Sequence, residues 1–235
     1  MEARVAIGAS RTFILKNAVL VYGDGATAFA TLHGVVSRGK DRTPYLGPGQ
    51  ALTSVFLGTL AAELGARITP EVLPDNVLAR TPDMVSWWRP AGREVMFFGG
   101  ADQKACELNG AVYPHPALIF KVTHHELFVR ALEKNERPVE GTRLKSAPYW
   151  NVDSAGRVCL GTMRVPDEVA VASIPGWVSG FFQSQFTHPN GAVRLTSHPQ
   201  GFFGLWEGLK NTDRAFPVEF LSDANETLLQ FVERG

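Results

Sequence analysis

The stretch Pro148–Pro166, PYWNVDSAGRVCLGTMRVP, decides the fold of this chain and contains the residues that suit it to chemistry. Its spacing is set by four residues: Asn151, Gly156, Cys159 and Leu160. Between the asparagine and the cysteine stand residue types that form compact loops, namely Asp153, Ser154 and Gly156. The pattern therefore predicts that Cys159 lies at the end of a loop, where its thiol is reachable.

A cysteine in that position suits thioester chemistry. The thiolate is the nucleophile, and the small thiolate fraction of an ordinary cysteine at neutral pH suffices against a thioester carbonyl, so no dedicated base is required. Attack by an amine then creates an oxyanion, which a nearby hydrogen-bond donor stabilises. We expect Cys159 to be the nucleophile, and Asn151 either to donate to the oxyanion by folding back toward Cys159 or to hold the loop.

The same offsets resemble the active-site segment of the ubiquitin-conjugating (UBC) superfamily. That segment reads His-Pro-Asn, a short glycine-containing loop and then Cys-Leu, which matches this chain at Asn151, Gly156, Cys159 and Leu160. Upstream, the run Tyr113-Pro114-His115-Pro116 resembles the family's Tyr-Pro-x-x-Pro strand entry.

Longer stretches of the sequence are similar to those of one bacterial branch, the B proteins of PRTRC (ParB-related, ThiF-related cassette) systems. The likeness runs from about Trp87 to about Pro217 and is carried by PHPALIF, APYWNV, GRVCLG and GFFQSQFTHPN. The chain departs from the superfamily where Tyr149 and Trp150 replace the His-Pro of the tripeptide, and where an insertion includes His124–Pro138. We expect the core chemistry to survive these changes and substrate handling to differ.

The resemblance implies an α+β, UBC-like fold in which an antiparallel sheet is flanked by helices. It implies that Cys159 accepts a ubiquitin-like modifier as a thioester from a ThiF-like adenylating (activating) enzyme and transfers it to an amine of a target protein. Tyr149, Trp150, Gly156 and Leu160 are then the residues of the active-site loop, and no cofactor is implied.

Two other functions stay open at this point. The chain can be a UBC-fold binding module that has lost transfer activity, an alternative that the replacement of His-Pro by Tyr149-Trp150 keeps open. It can also be an accessory protein of a plasmid-borne PRTRC cassette. A cysteine hydrolase is unsupported, because such an enzyme needs a histidine held against the sulfur and none stands in a recognisable relation to Cys159.

Composition limits the classes of partner and the cellular compartment that we expect for this protein. Lys plus Arg equals Asp plus Glu at 23 each, so the formal net charge is zero, and this argues against a nucleic-acid partner. Two cysteines far apart in the chain, Cys106 and Cys159, do not make a disulfide framework. No signal-peptide pattern and no long apolar run is found. We expect a cytoplasmic protein that does not bind membranes.

Residues 1–46 are predicted to form an N-terminal β-hairpin extension, with strands at Thr12–Tyr22 and Ala26–Val36 around a Gly-Asp-Gly turn. Residues 47–235 are assigned to the UBC-like conjugating domain with a C-terminal helical tail. This domain is predicted to begin with a helix at Pro48–Gly65, whose apolar stripe packs into the core. The resemblance implies that the outer face of this helix docks the activating enzyme.

Further elements follow from periodicity and from Gly and Pro breaks. The predicted strands and helices are Val77–Arg80, Val85–Trp88, Glu94–Phe98, a hairpin of Ala117–Val122 with Glu126–Leu132, a helix at Ala170–Gln183 interrupted near Pro175, and a helix at Asn225–Val232.

Two histidine features invite a functional interpretation. His124 and His125, with His115 or Cys106, lack the ligand spacing of a zinc site, so no metal site is predicted. A literal His-Pro-Asn at 188–190 falls downstream of Cys159, whereas the family's tripeptide falls upstream. It is predicted to be a turn, and a place for His188 at the active site is the less favoured alternative.

Overall fold

A computed structural model describes residues 4–6, 12–23, 28–38, 43–63, 72–100, 102–124, 126–161, 163–189 and 195–234. The chain divides into two compact units, Met1–Glu71 and Val72–Gly235. The first contains antiparallel strands and a helix: β1 (Arg4–Ala6), β2 (Thr12–Ile14), β3 (Asn17–Gly23), β4 (Ala28–Arg38), β5 (Thr43–Ala51) and α1 (Ser54–Glu63). β1 pairs with β2, and β3, β4 and β5 form a three-stranded sheet in that order.

The third strand of this sheet was not predicted. The expected boundary at residues 46 and 47 falls inside β5, and Pro48 belongs to that strand. The predicted helix start at Pro48 was therefore wrong, because α1 begins at Ser54. The residue before it, Thr53, caps the helix: its hydroxyl accepts a hydrogen bond from the Phe56 amide at 3.2 Å. The predicted core packing of this helix was also wrong, because no residue of α1 is buried.

The second unit mixes antiparallel sheets with helices, as the α+β prediction required. Its elements are β6 (Val77–Thr81), β7 (Met84–Arg89), β8 (Gly92–Phe98), α2 (Gln103–Leu108), β9 (Ala111–His115), β10 (Leu118–Thr123), β11 (Glu126–Ala131), β12 (Arg143–Ser146), a 3-10 turn (Val171–Ser173), α3 (Ile174–Gln183), β13 (Gln185–Phe186), α4 (Gly201–Leu209), a 3-10 turn (Val218–Phe220), β14 (Asp223–Thr227) and α5 (Leu228–Glu233). No helix among the described residues has the length and apolar character needed to span a bilayer.

A six-stranded antiparallel sheet organises this unit, in the order β14-β12-β11-β10-β7-β6. The predicted hairpin of β10 and β11 is confirmed, with Leu118 opposite Ala131 and Thr123 opposite Glu126. A smaller sheet has the order β13-β8-β9, in which β13 runs parallel to β8. Both edges of β8 are thus paired, and β13 brings the chain after α3 back to the sheet.

Alternation along the strands builds a core on each face of the large sheet. On one face, Trp87 and Phe120 stack with ring centroids 5.4 Å apart and belong to the same cluster as Phe181 of α3 and Trp206 of α4. On the other face, the buried residues are Ala117, Ile119, Phe128, Leu132, Leu144, Leu228 and Phe231. Helices therefore cover both faces of the sheet.

Two helix predictions need correction. The predicted helix at Asn225–Val232 was wrong at its start, because residues up to Thr227 pair with β12 and only then does α5 begin. Thr227 caps α5 in a reciprocal box with Gln230. Pro175 does not interrupt the earlier helix, since it lies in the first turn of α3, where a missing amide hydrogen costs nothing.

Lys121 is an exception to the apolar core. It lies on β10 with no exposed surface, and its Nζ lies 4.8 Å from the centre of the Phe128 ring and 5.2 Å from that of Phe231. Burial, together with the nearby Arg234 charge, lowers the pKa of Lys121 to about 8. Burial also raises the pKa of Tyr113 and Tyr149 above the usual range.

The lowered pKa of Lys121 predicts how this residue contributes to the pH dependence of stability. Between pH 8 and the unfolded lysine pKa of about 10.5, the unfolded chain binds the Lys121 proton more tightly than the folded one, so stability rises with pH. From pH 8 to pH 9.5 we expect the free energy of unfolding to increase by up to about 2 kcal/mol. Urea unfolding at both values measures this, and Lys121→Met is expected to remove the increase. An equal increase in the variant would contradict the assignment to Lys121.

Candidate functional site

The loop that ends at Cys159 is a small hairpin of its own. Val152 and Val158 form an antiparallel bridge, and the Asp153 amide donates to the Arg157 carbonyl at 3.0 Å. The turn is closed by the Gly156 amide, which donates to the Asp153 carbonyl at 2.9 Å, and by the Asp153 carboxylate, which accepts from the Arg157 amide at 2.9 Å. Asp153 and Gly156, two of the three residues that predicted a compact loop, thus take part in its internal hydrogen bonds.

The hairpin also pairs with β11, an inner strand of the large sheet, at residues that precede those paired with β12. The Val129 amide of β11 donates to the Gly156 carbonyl, and the Val158 amide donates to the Leu127 carbonyl, both at 2.8 Å. Gly156 has φ +83°, and a Cβ there would lie 2.8 Å from the Val129 carbonyl oxygen and 3.0 Å from the Arg130 guanidinium carbon. Glycine is required at this position for two reasons, its backbone conformation and the close approach of β11.

Asn151 joins this hairpin to a distant segment. Its Nδ2 donates to the Gln185 carbonyl at 2.7 Å, and its Oδ1 accepts from the Thr187 amide at 3.2 Å and the Thr187 hydroxyl at 3.3 Å. Its backbone amide donates to the His188 carbonyl at 3.0 Å. The residue is buried and has φ +63°, a conformation that asparagine tolerates better than most residues.

Cys159 itself is exposed, as its position at the end of the loop predicted. Its backbone amide donates to the carbonyl oxygen of Asn151 at 2.7 Å. The two residues are therefore in contact through the backbone, whereas the Asn151 side chain points to Gln185 and Thr187. Next to the cysteine, Leu160 packs against the main core cluster. The exposed thiol thus lies between two anchored neighbours.

Tyr149 and Trp150 fill the core beneath the loop. Tyr149 is fully buried, and its ring contacts Phe181, Phe186 and Trp206 at centroid distances of 5.2 to 5.6 Å. Among the described residues its hydroxyl has no hydrogen-bond partner. Trp150 stacks on Phe202 at 4.8 Å with an angle of 9° between the rings. The pair that replaces His-Pro therefore anchors the loop through aromatic packing instead of hydrogen bonds.

Gln185 and Thr187 were not predicted to contact the loop, and His188 was considered only as the less favoured alternative. The chain bends at His188, as expected, and the His188 carbonyl accepts from the Asn151 amide, so this segment lies beside the loop; a place for the His188 side chain at the active site stays a prediction. The exposed His188 ring lies 2.8 Å from the Thr187 hydroxyl through Nδ1. Asn190 lies outside the described residues. The literal His-Pro-Asn was the available signal, although spacing alone did not connect it to Asn151.

A groove borders the same segment. It has a volume of about 940 Å³ and lies between β7, β8 and α3, where its apolar lining includes Trp87, Val95, Val178 and Phe182. Gln185 also lines it, so one residue both borders the groove and accepts the Asn151 hydrogen bond.

The histidines weighed for a metal site lie in different settings. His115 is buried, its Nδ1 lies 2.8 Å from the Pro116 carbonyl, and burial lowers its pKa. Cys106 is exposed on α2, and His125 lies outside the described residues. Within the described ranges, no three His, Cys, Asp or Glu side chains converge as metal ligands.

The second unit is an α+β domain in which helices cover an antiparallel sheet, and it carries an exposed cysteine after an asparagine and a glycine loop. The family match places such a chain in the ubiquitin-conjugating (E2) class. The chain belongs to prokaryotic E2 family D, whose family model matches residues 53–224. Comparisons with curated proteins and with solved structures give no match. Family membership supports a role in ubiquitin-like conjugation in general.

The requirement for glycine at position 156 can be tested by comparison with Gly110. Gly156→Ala combines backbone strain with overpacking against β11, so we expect it to lower the free energy of unfolding by about 2 to 4 kcal/mol. Gly110 has φ +73°, and a Cβ added there would meet nothing within 4 Å, so Gly110→Ala is expected to cost only about 1 to 2 kcal/mol. Urea unfolding compares the two, and equal losses would contradict the proposed contact with β11.

Proposed function

We propose that this protein accepts a ubiquitin-like modifier as a thioester on Cys159, from a ThiF-like activating enzyme, and transfers it to an amine of a target protein. One observation carries the proposal: the exposed Cys159 follows a hairpin that is fixed to β11 on one side and, through Asn151, to Gln185 and Thr187 on the other. Membership of prokaryotic E2 family D agrees with it.

The proposed chemistry has two transfers. In charging, the Cys159 thiolate attacks the carbonyl carbon of the modifier's thioester, a new C–S bond forms, and the sulfur of the activating enzyme leaves as a thiolate. In discharge, a neutral amine attacks the same carbon, a C–N bond forms, and the Cys159 sulfur leaves as a thiolate. The proton of the amine passes to solvent.

Asn151 acts in this proposal as a positioning residue. Its amide hydrogen-bonds to Gln185 and Thr187, so it is engaged in holding two segments together. Of the two roles considered for Asn151, the contacts favour holding the loop over donating to the oxyanion. The Tyr149–Trp150 pair supports the loop from below by aromatic packing. In this proposal, aromatic packing supports the loop in place of the missing His-Pro.

A charging assay tests the function. The protein is mixed with its cognate activating enzyme, the modifier and ATP, and run on a non-reducing gel beside Cys159→Ala and Cys106→Ala. We expect an adduct that a thiol reductant cleaves, that Cys159→Ala lacks and that Cys106→Ala retains, because both thiols are exposed and only Cys159 ends the hairpin.

The opposite result would be equally informative. If the activating enzyme is charged and no adduct reaches this protein, transfer through Cys159 is ruled out. The leading function is then a binding module that holds the modifier or a partner without a covalent bond.

The role of Asn151 has its own test. Asn151→Gly keeps the left-handed backbone and removes the amide, whereas Asn151→Ala adds about 1 to 2 kcal/mol of strain at φ +63°. We expect Asn151→Gly to charge nearly as well as the wild type, because charging needs only a reachable sulfur. Discharge to a small amine is expected to slow by about tenfold to a hundredfold, since the loop is no longer held in place. Equal loss of both rates would mean that Asn151 only supports the fold.

A further inference from the structure

Beneath the hairpin, two guanidinium groups bind its backbone. Nη2 of Arg130 donates to the Ser154 carbonyl at 2.9 Å, and Nη2 of Arg234 donates to the Ala155 carbonyl at 2.5 Å. One carboxylate joins them, because Glu226 accepts from Nε of Arg130 at 2.5 Å and from Nη1 of Arg234 at 3.2 Å. We call Arg130, Glu226 and Arg234 the loop clamp.

The clamp side chains are largely shielded from water, which strengthens their hydrogen bonds. The side chains of Arg130, Glu226 and Arg234 are 2%, 13% and 34% exposed. The Arg130 cation is buried and the Arg234 cation is partly exposed; the Ser154 carbonyl is an acceptor for the first and the Ala155 carbonyl for the second. The hairpin and the clamp therefore stabilise each other: without the loop the guanidinium groups lose acceptors, and without them the loop loses its lower contacts.

The clamp is fixed in turn by the elements around it. The Lys121 ammonium donates to the Arg234 carbonyl, and the Arg234 guanidinium lies 5.6 Å from the ring centres of Phe128 and Phe231. Glu226 belongs to β14, which pairs with β12. Arg234 is thus held at both its backbone and its side chain.

Two of the three clamp residues lie outside the region that the family model matches. The match ends at residue 224, whereas Glu226 and Arg234 come from β14 and the residue after α5. Arg130 lies within the match, on β11. The C-terminal strand and helix therefore add contacts to the loop that precedes Cys159.

We propose that Glu226 and Arg234 are positioning residues for Cys159: they fix the backbone of the hairpin from the C-terminal segment, so that the thioester on Cys159 is held for attack by an amine. This inference rests on the function proposed above. It assigns to the C-terminal strand and helix a part in the discharge step, beyond their packing against the sheet.

The test uses Arg234→Ala in the full chain. Hydrogen exchange of the amides of residues 153–159 reports the loop without any need for activity, and discharge of the charged protein to excess ethylamine reports the chemistry. We expect hydrogen exchange in the loop to become faster and discharge to become slower, each by about tenfold to a hundredfold. This is the range for a lost hydrogen bond to a charged group. Arg234→Lys keeps the charge and is expected to recover part of both.

Arg137→Ala is the matched control. Arg137 also binds two backbone carbonyls, those of Asp75 at 2.8 Å and Val77 at 2.9 Å, at the start of β6. Its removal is expected to leave loop exchange and discharge at wild-type values. If Arg234→Ala does not fold, Glu226→Gln replaces it, because that variant keeps an oxygen acceptor while losing the charge that joins the two guanidinium groups.

Each outcome decides the proposal. Faster exchange confined to residues 153–159 together with slower discharge supports it. Unchanged loop exchange overturns the clamp, and faster loop exchange with wild-type discharge overturns its positioning role. A uniform rise in exchange that includes β7 and β10 would assign Arg234 to global stability alone. If the wild type is never charged, the proposed function and its positioning role fail, and exchange alone still decides whether the clamp holds the loop.

Discussion

The hydrogen bonds of the Asn151 side chain are the constraint on which the site depends. Its amide nitrogen and oxygen connect the hairpin that ends at Cys159 to a segment more than thirty positions later in the chain, at Gln185 and Thr187. An Asp at this position would lose the donor, and most other residues would lose the left-handed backbone as well. Asparagine is the side chain that meets both demands.

In addition to the Asn151 hydrogen bonds, three different kinds of interaction hold the loop. Backbone pairing with β11 fixes its edge, and the aromatic cluster of Tyr149 and Trp150 fixes its base. Charged side chains bind its turn through Ser154 and Ala155. Cys159 is left exposed at the end of a segment that is otherwise anchored, which is what thioester transfer requires of a protein: a reachable sulfur in a fixed position.

Local sequence predicted local structure well. The spacing from Asn151 to Cys159 predicted a compact loop with an exposed cysteine, and apolar alternation predicted the β10–β11 hairpin. The family resemblance is supported by the match to residues 53–224. Predictions failed where tertiary pairing overrides local preference: Pro48 is drawn into β5, and the residues before Thr227 pair with β12 instead of starting a helix.

The partners of the loop could not be predicted, because their identity depends on contacts between distant segments. Nothing in the sequence around Arg130 or Arg234 indicates that the two share the Glu226 carboxylate. Likewise, the His-Pro-Asn at 188–190 was a recognisable motif, but the sequence did not show which residue it contacts. Only the fold shows that the Asn151 amide donates to the His188 carbonyl.

The connection that Asn151 makes can be tested directly by hydrogen exchange at the amide of Thr187. In the described part of the chain, the acceptor for this amide is Asn151 Oδ1. In the wild type, hydrogen exchange at Thr187 should be slow, and in Asn151→Gly it should rise by about tenfold or more while exchange in β7 and β10 is unchanged. Exchange at Thr187 that is fast in the wild type, or that does not respond to the substitution, would contradict the central place given to Asn151.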